Sequence, residues 1–130
     1  MCGLKTISRA LALMLALSPP PAAWAESHAA KDQLQFFATC TGRLSALMEH
    51  QWMFDGPASD ITKDRRDAML SLVDAVALPD DSKRVLIWRV EAKHAQAALL
   101  QQAAFGTGPT AQTAQRMSDR LMQDCTAVLS

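Results

Sequence analysis

Residues 32–54, DQLQFFATCTGRLSALMEHQWMF, carry the repeat that sets the fold class. Leu34, Phe37, Cys40, Leu44, Leu47 and Met48 recur at intervals of three and four, which lays them along one face of a helix. The run predicts a helix ending at Asp55-Gly56-Pro57, where glycine reaches the left-handed region and proline cannot continue the ladder. An apolar stripe of this kind needs a partner. The chain supplies three more.

A second helix is expected over residues 60–78, capped by Ser59 or Asp60, with Ile61, Arg65, Ala68, Met69, Leu72, Val73 and Val76 as its stripe. Leu78-Pro79 ends it, and Asp80 or Asp81 caps a third helix over residues 81–104. There Val85, Leu86, Arg89, Ala92, Leu99, Leu100 and Ala103 lie inward or near it. After the break at Gly106-Thr107-Gly108-Pro109, a fourth helix over residues 110–129 places Ala114, Met117, Leu121, Met122, Cys125 and Val128 on one side. No segment reads as a strand. Tyrosine is absent, β-branched residues are sparse, and alanine, leucine, glutamine and methionine dominate.

Short loops between consecutive helices favour antiparallel neighbours, so the expected fold is all-α, a single small antiparallel four-helix bundle. Cys40 lies about eight residues into the first helix and Cys125 about four from the end of the last. At roughly 1.5 Å per residue, antiparallel packing brings both to one end of the bundle, each on its apolar stripe. A parallel arrangement would separate them beyond disulfide reach. One disulfide, Cys40–Cys125, is therefore expected to join the first and last helices, closing a loop of roughly 85 residues worth at most about 4–5 kcal/mol. The alternatives are two buried free thiols or a bridge between chains.

Outward from this core, residues 1–25 have the layout of a cleaved secretory signal. Lys5 and Arg9 form a basic start, residues 10–17 (ALALMLAL) are apolar, Ser18-Pro19-Pro20-Pro21 breaks the run, and Ala23-Trp24-Ala25 offers small residues at a cleavage site. The apolar run of about eight residues is far short of the roughly 20 that span a bilayer. Cys2 precedes that run, whereas a lipid-anchoring cysteine would follow it. The expected mature domain is residues 26–130, extracytoplasmic and by this reading in a bacterial periplasm, where paired cysteines are stable. Losing Lys5 and Arg9 leaves a net charge of about −2 with no basic run, which disfavours a nucleic-acid partner. No later segment reaches membrane-spanning length.

The chemistry-bearing residues are few. Glu91 and His94 have the Glu-x-x-His spacing of di-iron bundles, but such a site needs a second pair and two further glutamates that the chain does not supply. Asp60, Asp64 and Asp67 share a stripe yet lack the glycine turn and terminal glutamate of a calcium loop. Within the folded region His50 and His94 alone could serve as a nucleophile's base. No strained-turn serine, phosphate loop or Cys-x-x-Cys appears, so neither an enzyme nor a cofactor is expected.

Two surfaces remain as candidates. Trp52, Met53 and Phe54 form a bulky apolar block before a turn, which either folds over the end of the core or stays exposed as a docking patch. Trp88 poses the same question, with Arg84 one turn earlier placed to lie over its ring. The leading expectation is an exported, non-enzymatic protein acting by contact with another protein, in an accessory, chaperone-like or inhibitor role known only by analogy of architecture. The alternative is binding of copper or a small ligand. His50 and Met53 share a side of the helix, and imidazole and thioether suit copper(I) if a bundle methionine such as Met117 or Met122 joins them.

Overall fold

The computed structural model describes residues 21–130. The leader expected over residues 1–25 lies outside the described residues apart from positions 21–25, which belong to the first helix. Four helices follow in order: α1 (Pro21–Trp52), α2 (Gly56–Val76), α3 (Ser82–Phe105) and α4 (Gly108–Thr126). One-turn 3₁₀ segments at Pro79–Asp81 and Ala127–Leu129 precede α3 and follow α4. There is no strand among the described residues.

Three helix starts differ from the expected ones, for one shared reason. Proline lacks only a donor that the first helical turn leaves unpaired, so it opens helices as readily as it ends them. α1 therefore begins at Pro21 rather than near Asp32. Gly56-Pro57 belongs to the first turn of α2, and its cap is Asp55, whose carboxylate accepts from Ala58 N at 3.1 Å, not Ser59 or Asp60. Gly108, at φ 65°, and Pro109 likewise open α4.

α1 is the hub. It runs antiparallel to α2, with Ser59 Oγ donating to the Met48 carbonyl at 2.9 Å near the turn, and α2 buries Met69 and Val73 in the shared core. Against α3 it runs parallel, since Gly42 abuts Arg89, Lys93 Nζ reaches Glu49 Oε1 at 2.6 Å, and Phe54 meets Phe105. α3 returns as α4, the pair joined by Gln96 Nε2 donating to Ser118 Oγ at 2.8 Å. The Cys40–Cys125 disulfide, with Cα atoms 5.4 Å apart, then ties α4 to α1. Thus the all-α bundle and its bridge between first and last helices are as the sequence reads.

One neighbour relation is not. The consecutive helices α2 and α3 do not pack along each other; they flank α1. The close α1–α3 seam explains this. Ala38, Gly42 and Ala46 recur every fourth residue on α1 and are all buried, so the two backbones approach where large side chains would hold them apart. A Cβ built on Gly42 would meet the Arg89 carbonyl oxygen well inside 3.0 Å.

The buried face of α2 is rotated from the expected stripe, whereas α3 and α4 keep most of theirs. On α2 the inner positions are Ser59, Thr62, Met69 and Val73, while Ile61, Arg65, Ala68 and Val76 are exposed. On α3 the inner positions are Val85, Gln96 and Leu100, and Leu86 is exposed beside the uncovered gap between α2 and α3. On α4, Ser118 is buried in place of Met117, and Val128 is exposed.

Candidate partner-binding end

The α1–α2 and α3–α4 turns lie at the same end of the bundle, because each helix pair is antiparallel and α1 and α3 run together. Two polar contacts hold the first turn: Ser59 Oγ to the Met48 carbonyl, and Thr62 Oγ1 to Gln51 Oε1 at 2.6 Å. Those contacts bury Ser59, at the position an apolar staple residue would fill, and Thr62 one turn further on. The bulky residues that follow are left outside. Trp52, Met53 and Phe54 are 78%, 64% and 64% exposed, so the block is surface, not a lid on the core.

A residue that the sequence reading overlooked completes the patch. Phe105, the last residue of α3, is 69% exposed, and its ring centroid lies 6.4 Å from that of Phe54. His50 extends the row, its ring 5.0 Å from Phe54. The missed signal is positional: Phe105 precedes Gly106-Thr107-Gly108-Pro109 as Phe54 precedes Asp55-Gly56-Pro57. In a bundle with alternating directions both breaks fall at one end.

Trp52 stands as a ridge between two grooves. On one side Ala46, Glu49, His50, Met53, Ala97, Leu100 and Gln101 line a cleft of about 410 Å³ between α1 and α3. On the other, Met48, Glu49, Ser59, Asp60 and Lys63 line one of about 270 Å³ toward α2. Exposed aromatic and methionine side chains beside concave, partly apolar walls are the composition of the central part of protein interfaces.

Trp88 does not belong to this end. It is half-buried in the first third of α3, packs against the core, and carries the Arg84 guanidinium 5.8 Å above its ring. It borders a different cleft with Gln35, Thr39, Arg43, Gln96 and Leu121. Gln96 there is 1% exposed, and its Oε1 has no hydrogen-bond partner. Arg43 lies close by, Nη1 4.0 Å from Cys125 Sγ; burial lowers its pKa and the nearby Asp124 carboxylate works against that shift.

Of the metal candidates, His50 and Met53 do line one groove. The other methionines are elsewhere: Met48 Sδ accepts from Arg66 Nη1 at 3.4 Å on the α2 side, Met122 is in the core, and Met117 lies exposed on α4. Among the described residues no three His, Cys, Asp or Glu side chains gather in a metal-sized group. Glu91 and His94 are both exposed on α3. Along the Asp60, Asp64 and Asp67 stripe, hydrogen bonds from Arg66 and Lys63 hold the Asp67 carboxyl below the usual carboxylate range.

Compared with known proteins, the chain matches no family model, no curated protein and no solved structure.

Proposed function

We propose that this protein works by binding another protein through the apolar end formed by Trp52, Met53, Phe54 and Phe105, without catalysing a reaction, outside the cytoplasm. The observation that carries the reading is the joint exposure of these four side chains at one end of the bundle, with Trp52 and Met53 on the walls of the adjoining grooves. A small domain that leaves Trp52, Met53, Phe54 and Phe105 in water, while burying Ser59 and Thr62 beside them, forgoes stability at this end. A partner's surface would recover it. The Cys40–Cys125 bridge supports an oxidising compartment, and the leader-like residues 1–25 support export to the periplasm. Among the described residues no helix is long and apolar enough to cross a membrane.

The test places a photo-crosslinking amino acid at position 54 and, as a control, at exposed Gln123 on α4, in protein expressed in its own host. A discrete heteromeric product from position 54 alone, lost in Trp52→Ala/Phe105→Ala protein of unchanged helicity, is expected. Equal products from both positions, or none from position 54, would refute the assigned surface.

A second reading rests on His50 and Met53 lining the same cleft, a pair that suits copper(I). Anaerobic copper(I) titration of the wild type and of His50→Ala/Met53→Ala protein decides it. Absence of tight binding by the wild type ends that reading.

A further inference from the structure

The apolar end differs from the rest of the molecule in charge as well as hydropathy. Between Glu49 and Thr62 the sequence has the carboxylates Glu49, Asp55 and Asp60 and no lysine or arginine. Between Ala95 and Gln115, which form the other half of this end, it has no charged side chain at all. The two bordering lysines are already engaged: Lys93 with Glu49 at 2.6 Å and Lys63 with Asp67 at 3.0 Å. Among the described residues no cation lies within 4.0 Å of Asp55 or Asp60. Asp55 follows Phe54 directly and caps α2 with one oxygen; Asp60 borders the same groove as Trp52. In a chain whose formal net charge is +0, this end is therefore an apolar surface with an unneutralised acidic rim.

We infer that the occupant of this end is a basic amphipathic segment of a partner protein, with apolar side chains seated beside Trp52, Phe54 and Phe105 and lysines or arginines over Asp55 and Asp60. The inference rests on the protein-contact reading above and names the chemistry of its partner. Opposite charge around an apolar centre selects among partners and speeds encounter, while the buried aromatic anchors hold the complex. The groove beside Trp52 toward α2 is bordered by Asp60, and the cleft on the other side of Trp52 offers Ala46, Ala97 and Leu100 among its walls, so a segment lying across Trp52 meets apolar surface and carboxylate together. The same carboxylates repel the anionic headgroups of a bacterial bilayer, so a membrane surface is the less favoured occupant.

The experiment uses the full oxidised domain and two synthetic helices of about 18 residues, one built from leucine and lysine, the other with glutamate replacing every lysine. Calorimetry gives affinities, and amide shifts in isotope-labelled protein locate the contact. The lysine peptide should bind with shifts centred on residues 46–60 and 97–105, at least about tenfold tighter than the glutamate peptide, and weaken as salt rises. Trp52→Ala/Phe54→Ala should lose at least about tenfold in affinity for it, the penalty of removing two anchors. Asp55→Asn/Asp60→Asn keeps a good cap at position 55, since asparagine caps as well as aspartate. It should erase most of the preference and flatten the salt dependence.

Equal binding of both peptides at the Trp52 end would overturn the basic preference and leave the protein-contact reading standing. Shifts centred elsewhere, or no binding of the lysine peptide, would also overturn it. So would uptake by zwitterionic phosphatidylcholine vesicles, blocked by Trp52→Ala, with neither peptide bound; that result would make this end a membrane-contacting surface.

Discussion

Replacing Gly42 by alanine tests the account of the α1–α3 seam directly. The added Cβ would sit well inside 3.0 Å of the Arg89 carbonyl oxygen, 3.0 Å from its carbonyl carbon and 3.1 Å from its Cα. All three are backbone atoms of α3, so no rotamer change relieves the overlap. Carbon–carbon contacts prefer roughly 3.5–4.0 Å, so the helices must separate by roughly 1 Å at their closest point. Overpacking of this kind costs about 1–3 kcal/mol, and the higher helix propensity of alanine returns up to about 1 kcal/mol. Because the clash is with fixed backbone, the cost lies in the upper part of that range, and the balance is a net loss of about 1–2 kcal/mol. In a domain of about 100 residues each kcal/mol moves the thermal midpoint by about 4–8 °C. Differential scanning calorimetry of Gly42→Ala should therefore show a midpoint lowered by about 5–15 °C. Gly56→Ala is the control, because a Cβ there meets nothing within 4 Å, and its midpoint should change little or rise. A Gly42→Ala midpoint equal to or above the wild type would refute the close backbone seam between α1 and α3.

Two further outcomes follow from the core. Cys125→Ser releases a loop of 85 residues and should lower the thermal midpoint by many degrees, with about 4–5 kcal/mol as the upper bound; a shift within a degree or two would mean the bridge does little. Ser118→Ala removes the partner of Gln96 Nε2 and leaves both ends of a buried amide unpaired. It should cost about 1–3 kcal/mol in urea unfolding, and Ser118→Ala/Gln96→Met should recover most of that; a double variant as unstable as the single one would contradict the pairing.

The features legible in sequence are those set by spacing and covalent reach. Cys40 and Cys125 each fall on an apolar stripe, and antiparallel first and last helices bring them together, so the bridge and the bundle read out from pattern alone. The inner face of α2 did not. Hydropathy ranks Ile61 and Val76 above Ser59 and Thr62, yet the last two are buried because the Met48 carbonyl and Gln51 satisfy their hydroxyls. A polar group with a local partner loses most of its burial penalty, and the apparent phase of the stripe then shifts. Ser118 and Gln96 misled in the same way on α4 and α3. Leu86 read as core because nothing in the sequence indicates that α2 and α3 leave a gap.

The apolar end was half legible. Trp52, Met53 and Phe54 stood out as a block, but whether they covered the core depended on the polar staple made by Ser59 and Thr62. Phe105 is more than 50 positions away, and only the shared direction of α1 and α3 brings it to Phe54. Trp88, by contrast, looked equivalent in sequence and lies against the core beneath Arg84.

The position of the disulfide divides the molecule mechanically. Cys40 is about 18 Å along α1 from Trp52, at 1.5 Å per residue, so the covalent clamp grips the bundle well away from its aromatic end. Beyond Cys40 toward Trp52, α1 is held to α2 and α3 by the close Gly42 seam, the buried Leu44 and Ala46, a few hydroxyl bonds and the surface Glu49–Lys93 pair, none of them covalent. The covalent constraint is thus confined to one half of the bundle, and the half that carries Trp52, Phe54 and Phe105 keeps its shape by non-covalent contacts.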